Sequence, residues 1–115
     1  MSYDIRLYRK GMRSGNKVYY DYEENITYNV NQMLEEVFGK NHLKKWNNLP
    51  ICTFYKKLLE GVTFMENNKN VLSQFDSPNG WGTVNTTLPR LQKLVQVINT
   101  YIDNDGCENV YLEFE

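Results

Sequence analysis

At Asn29 the apolar residues of this chain change period, and near Val110 they change back. Before Asn29 they recur at every second position: Tyr3, Ile5 and Leu7, then Val18, Tyr20 and Tyr22. Side chains alternate across a strand, so each run predicts a half-buried strand. From Val30 the spacing is helical, with Val30, Met33, Leu34, Val37 and Phe38 at i, i+3, i+4, i+7 and i+8. Val110, Leu112 and Phe114 restore the period of two. The predicted order is strand, strand, three or four helices, strand, which is an α+β arrangement in one domain spanning residues 1–115.

Punctuation residues mark the boundaries. Lys10 to Asn16 holds two Gly, a Ser and an Asn and reads as a hairpin loop. Asn29 is placed as an N-cap with Gln32 as its capping-box partner, and Gly39 is placed to stop the first helix. Pro50 suits the first position of a second helix, whose buried stripe is Ile51, Phe54, Tyr55, Leu58, Leu59, Val62 and Met65. Gly61 falls inside that helix and predicts a bend or an early end. Val71, Leu72 and Phe75 form one short helical piece. Val84, Leu88, Leu91, Val95, Ile98 and Ile102 form the longest stripe. Thr83 or Thr87 caps that helix, and Pro89 places its regular start near Thr87. If successive elements alternate in direction, the three strands form a small antiparallel sheet in the order 2-1-3 with the helices on one face.

Composition excludes several classes. Hydrophobic content of 41% and charged content of 23% are ordinary for a folded domain. Net charge is −1 with no general basic balance, so duplex nucleic acid is not the expected partner, although Arg6, Arg9, Lys10 and Arg13 lie close together, as do Lys40, Lys44 and Lys45. No run approaches membrane-spanning length, no apolar signal region opens the chain, and the expected location is cytoplasmic. In that compartment Cys52 and Cys107 are expected as reduced thiols, Cys52 beside the apolar side of the second helix. No cluster of His, Cys or carboxylates has metal-ligand spacing, and no cofactor is implied. His42 is the one imidazole, and a Cys52–His42 pair is the sole nucleophilic arrangement worth testing. Trp46 beside Lys44 and Lys45 is expected to fold onto the second helix rather than to stack on single-stranded nucleic acid.

Two blocks carry a pattern that a periodic core does not require: Asn25-Ile26-Thr27-Tyr28-Asn29 and Pro78-Asn79-Gly80-Trp81-Gly82. Each mixes Asn with an aromatic residue just before a helix. With alternating elements, both fall at one edge of the sheet, beside two helix starts. Asn25, Tyr28, Asn29, Asn79, Trp81 and Thr83 are therefore the candidate binding residues. Helix N-termini there offer N–H groups to a small anionic ligand, and an aromatic offers a stacking face. The competing account is structural: Trp81 plugs the end of the core, the Gly residues make turns and the Asn residues satisfy caps. The residues favour this second account.

The opening Met1-Ser2-Tyr3-Asp4-Ile5, the Asn25–Asn29 block and Asn79-Gly80-Trp81-Gly82 together resemble a group of small uncharacterised proteins of bacteria and their phages. Members of that group often carry a longer segment where this chain has its Gly-containing loop. The resemblance implies no catalytic residue. It implies a non-enzymatic accessory protein of a phage or mobile element that binds a host or defence-system protein. Two alternatives stand beside it: a toxin-neutralising immunity protein, and a small-ligand binding or sequestering protein with its site at the Tyr28-Asn29/Asn79-Trp81 edge. A homodimer through an edge strand is also compatible with the pattern.

Overall fold

The computed structural model describes all residues, 1–115. The strands are β1 (Ser2–Lys10), β2 (Lys17–Thr27) and β3 (Tyr111–Phe114), and the helices are α1 (Asn31–Phe38), α2 (Tyr55–Asn67), α3 (Lys69–Leu72) and α4 (Val84–Asp105). The sheet is antiparallel in the order β2-β1-β3, as the alternation of short connections predicts. β1 lies in the middle, which explains its unbroken inner row of Tyr3, Ile5 and Leu7, all buried. Leu112 and Phe114 of β3 and Ile26 of β2 extend that row. Onto it pack Met33 and Leu34 of α1, Leu58, Val62 and Met65 of α2, and Leu88, Leu91, Leu94 and Ile98 of α4.

The two edges of the sheet differ. Beyond β3 the segment from Asn47 to Ile51 seals the ladder: Asn48 N–H donates to the Leu112 carbonyl, Leu112 N–H to the Leu49 carbonyl, and Ile51 N–H to the Val110 carbonyl. The Asn47 side chain accepts from Phe114 N–H at 2.8 Å. Beyond β2 no strand follows. That edge is interrupted by a bulge, since β1 advances from Arg6 to Tyr8 while β2 runs from Glu23 to Tyr19. Bulges and charged side chains are the usual protection of an unpaired edge, and Asp21, Glu23 and Glu24 provide the charge.

Several local expectations are corrected. α2 starts at Tyr55, not at Pro50. Pro50 is extended and bridges Tyr111, and Ile51–Thr53 makes a 3-10 turn, because this backbone is spent on closing the β3 edge. Leu59 is exposed rather than part of the buried stripe. Gly61 does not end the helix. α2 continues through it to Asn67, and a Cβ there would overlap the Phe38 ring, so glycine is required by the close approach of α1. α1 is preceded by a 3-10 turn, Tyr28–Val30, capped by Thr27, so Asn29 is not the cap. α4 starts at Val84, ahead of Pro89, since Thr83 and Thr86 form a capping box that holds the first turn. Trp46 folds inward as expected, with its ring stacked on Phe54 at 4.7 Å and Phe38 edge-on at 5.6 Å.

Cys52 and Cys107 form a disulfide, with Cα atoms 5.0 Å apart. The reduced thiols expected from sequence are thus replaced by a bridge, and Cys52 is exposed rather than packed in the core. The sealed edge explains the pairing. Cys52 N–H donates to the Cys107 carbonyl, which draws the start of the Ile51–Thr53 turn onto the α4–β3 connection. No helix is long and apolar enough to cross a membrane.

Candidate functional site

The two Asn-aromatic blocks meet. The loop between α3 and α4 is ordered by its own side chains. Asn79 Oδ1 accepts from the Ser77 hydroxyl at 2.6 Å and from Trp81 N–H at 2.9 Å, which closes an Asx turn. Gly80 and Gly82 both have φ near +80°, at 77° and 87°, a region open to glycine at little cost. Gly82 is also the point of contact with the first block. A Cβ there would stand 2.8 Å from Thr27 Cγ2 and 2.9 Å from Val30 Cγ1. Across that contact the Asn29 side-chain amide donates to the Trp81 carbonyl at 3.3 Å.

Trp81 does not close the core. It is 71% exposed, while Val30, Val84 and Leu88 on the adjoining elements are buried. The reason lies in the backbone. With positive φ on either side, and Gly82 pressed onto Thr27 and Val30, the intervening Cβ is turned away from the packed layer. The ring stands at the rim of a cleft of about 350 Å³, with Asn25, Ile26 and Thr27 on one wall and Thr86, Thr87 and Arg90 on the other.

The six candidate residues divide by role. Asn25 and Trp81 line the cleft. Asn25 is held by bonds from its amide to Ser2 Oγ at 2.9 Å and Asp4 Oδ1 at 2.8 Å. Asn29 and Asn79 spend their side chains on shaping the loop, and Thr83 spends its own on the α4 cap. Tyr28 turns to the side, with its ring 4.3 Å from that of Tyr3. Arg90 was not among the candidates. It follows Thr86 by one helical turn, which is the signal that places it on the same face. Its guanidinium donates to Glu24 Oε1 at 2.8 Å and to the Asn25 carbonyl.

The α4 wall of the cleft is paired internally. Val84 N–H, at the start of α4, is taken by Asp76 Oδ1 at 2.8 Å, Thr86 N–H by Thr83 Oγ1, and Thr87 N–H by the Thr83 carbonyl. The Arg90 cation faces Glu24. The positive end of α4 and the one guanidinium in the cleft are thus already matched by the protein's own carboxylates.

The Cys–His arrangement is not formed. His42 is wholly buried, its Nε2 lies 3.1 Å from Asn31 Oδ1, and its Nδ1 accepts from Leu43 N–H at 2.7 Å. The ring is therefore a neutral Nε2–H tautomer. Burial, reinforced by Lys44 and Lys45, lowers its pKa from 6.5 to about 4. Cys52 is engaged in its bridge. Its sulfur, that of Cys107 and a Glu108 carboxylate oxygen lie within 4.8 Å of one another, but bonded sulfurs are not thiolate ligands. On the outer sheet face, burial pushes the Glu113 carboxyl upward, but hydrogen bonds from Lys17 and Tyr19 outweigh this and hold it below its ordinary value.

No protein-family model matches the chain, and neither does any curated protein or any solved structure.

Proposed function

We propose that this chain is a non-enzymatic binding protein that engages a partner protein through the Trp81 edge, as an accessory factor of a phage or mobile element that occupies a host or defence-system protein. The exposure of Trp81 carries the proposal. Tryptophan is among the residue types enriched at the energetic centres of protein interfaces. Here the exposure belongs to an ordered loop. Asn79, Asn29 and both flanking glycines fix the backbone that carries the ring. A presentation fixed in advance lowers the ordering cost of binding. The pairing of Arg90 with Glu24 and of the first N–H of α4 with Asp76 favours a protein surface over a free anion at that wall of the cleft. The resemblance of the three sequence blocks to bacterial and phage proteins is what supports the accessory role.

The test is a pull-down from host lysate with the purified protein and with Trp81→Ala, followed by Trp fluorescence with the captured partner. Trp46 is buried, so a shift of the exposed-Trp emission reports Trp81. A partner held by the parent protein and lost by Trp81→Ala is the expected result. Equal retention by both proteins, or no retained partner, would overturn the reading. A second reading rests on the cleft itself, whose volume of about 350 Å³ lies within the range of small-molecule sites. In that case Trp81 emission shifts with the small-molecule fraction of the lysate and not with its proteins.

A further inference from the structure

The net charge of −1 conceals a strong asymmetry. Between Ile5 and Tyr20 the chain carries five cations, Arg6, Arg9, Lys10, Arg13 and Lys17, and no carboxylate. The rest of the molecule holds eight cations against fourteen carboxylates, a net of −6. These five cations lie on the β1–β2 hairpin. β3 pairs with β1 only as far as Tyr8, so from Arg9 to Val18 the hairpin continues as a two-stranded ribbon, with Lys10 opposite Lys17. Every residue from Arg9 to Tyr19 is exposed except Gly11, which is half-buried. The turn is nonetheless closed, by Gly11 N–H to the Asn16 carbonyl at 2.8 Å and by Gly15 N–H to the Gly11 carbonyl at 3.0 Å.

The cations are not equivalent. Arg6 is surrounded by Asp4, Glu23 and Glu113, and Lys17 is paired with Glu113 at 2.7 Å. Arg9, Lys10 and Arg13 have no carboxylate partner, and Lys10 lies 4.7 Å over the Tyr111 ring. With Asn16 they give the tip three cations unmatched by carboxylates and an amide, the groups that contact phosphates and base edges.

We infer that the β1–β2 ribbon is a docking element for duplex DNA, seated in the major groove, which admits a two-stranded β-ribbon. The acidic remainder of the molecule strengthens the orientation, since it is repelled by the same phosphates that attract the tip. This surface lies at the opposite end of β1 from the Trp81 edge, about 25 Å away at the rise of an extended strand. It goes beyond the function proposed above and is independent of it.

The experiment is fluorescence anisotropy with a labelled duplex of about 20 base pairs, titrated between about 50 and about 200 mM NaCl, where three neutralised phosphates predict a weakening of about 40-fold. Arg13→Ala reduces that ratio to about 12-fold, one contact having been lost. The triple variant Arg9→Ala/Lys10→Ala/Arg13→Ala abolishes binding, with its circular dichroism unchanged because all three residues are exposed and its melt lowered only by the lost Lys10–Tyr111 contact. Absence of binding by the parent protein at the lowest salt, or undiminished binding by the triple variant, would overturn the inference. So would a single strand of equal length bound as tightly as the duplex. Polyglutamate bound as tightly as the duplex would instead assign the tip to an acidic protein and sink the DNA reading.

Discussion

Asn29 and Trp81, 52 positions apart in the chain, are joined by a single hydrogen bond from the Asn29 amide to the Trp81 carbonyl. The bond runs to the main chain of Trp81, so the indole itself takes no part in it. Presentation and recognition at this edge can therefore be separated by mutation. Trp81→Ala is expected to change stability by no more than about 0.5 kcal/mol, as for other exposed positions, while removing partner binding. Asn29→Ala is expected to cost about 1 kcal/mol and to weaken binding only in part. Urea denaturation of both variants beside the pull-down checks the separation.

The two glycines around Trp81 make a sharper pair. Both have positive φ, but a Cβ at Gly80 meets nothing within 4 Å, whereas one at Gly82 meets Thr27, Val30 and Asn29. Gly80→Ala should cost about 1 kcal/mol, from backbone strain alone. Gly82→Ala should cost about 3 kcal/mol, adding overpacking to strain. Equal midpoints in thermal melts of the two variants would contradict the described contact between the blocks.

Gly61 tests the opposite intuition. Alanine in mid-helix is ordinarily worth about 1 kcal/mol over glycine. Here its methyl would collide with the Phe38 ring, which leans on Trp46. Gly61→Ala should therefore destabilise by about 3 kcal/mol, and Phe38→Leu combined with it should recover part of that loss.

Acid should find His42. Its neutral form is built into the fold through Asn31 and Leu43, and its pKa is lowered from 6.5 to about 4. Below the unfolded value the unfolded chain binds the proton and the native state does not. Stability is thus full above about pH 6.5 and falls as the pH drops towards 4, by up to about 3 kcal/mol, then levels off for this group once the native ring protonates. Chemical denaturation across that window measures the slope, and His42→Gln should flatten it.

The bridge between Cys52 and Cys107 spans a sequence separation of 55 residues. By loop-closure entropy its reduction should cost about 4 kcal/mol. Melting with and without a dithiol reductant, with Cys52→Ser/Cys107→Ser as the control, checks the magnitude. If the double variant matched the oxidised protein, the bridge would be absent in solution.

The sequence by itself determined the elements and their order in the sheet. The period of two around Ile5 and Leu7, the helical period from Val30, and the return at Val110 are local patterns, and short connections convert them into the 2-1-3 topology. It also located the two blocks at one edge. What it misjudged depends on partners distant in the chain. The direction of Trp81 was decided by the seating of Gly82 on Thr27 and Val30. The late start of α2 was decided by the demand of β3 for hydrogen bonds from Leu49 to Ile51. The disulfide was decided by the same docking, which carried Cys52 to Cys107. Periodicity reports which face of an element is apolar, whereas these three features follow from where two backbones come to lie against each other, and only tertiary packing specifies that.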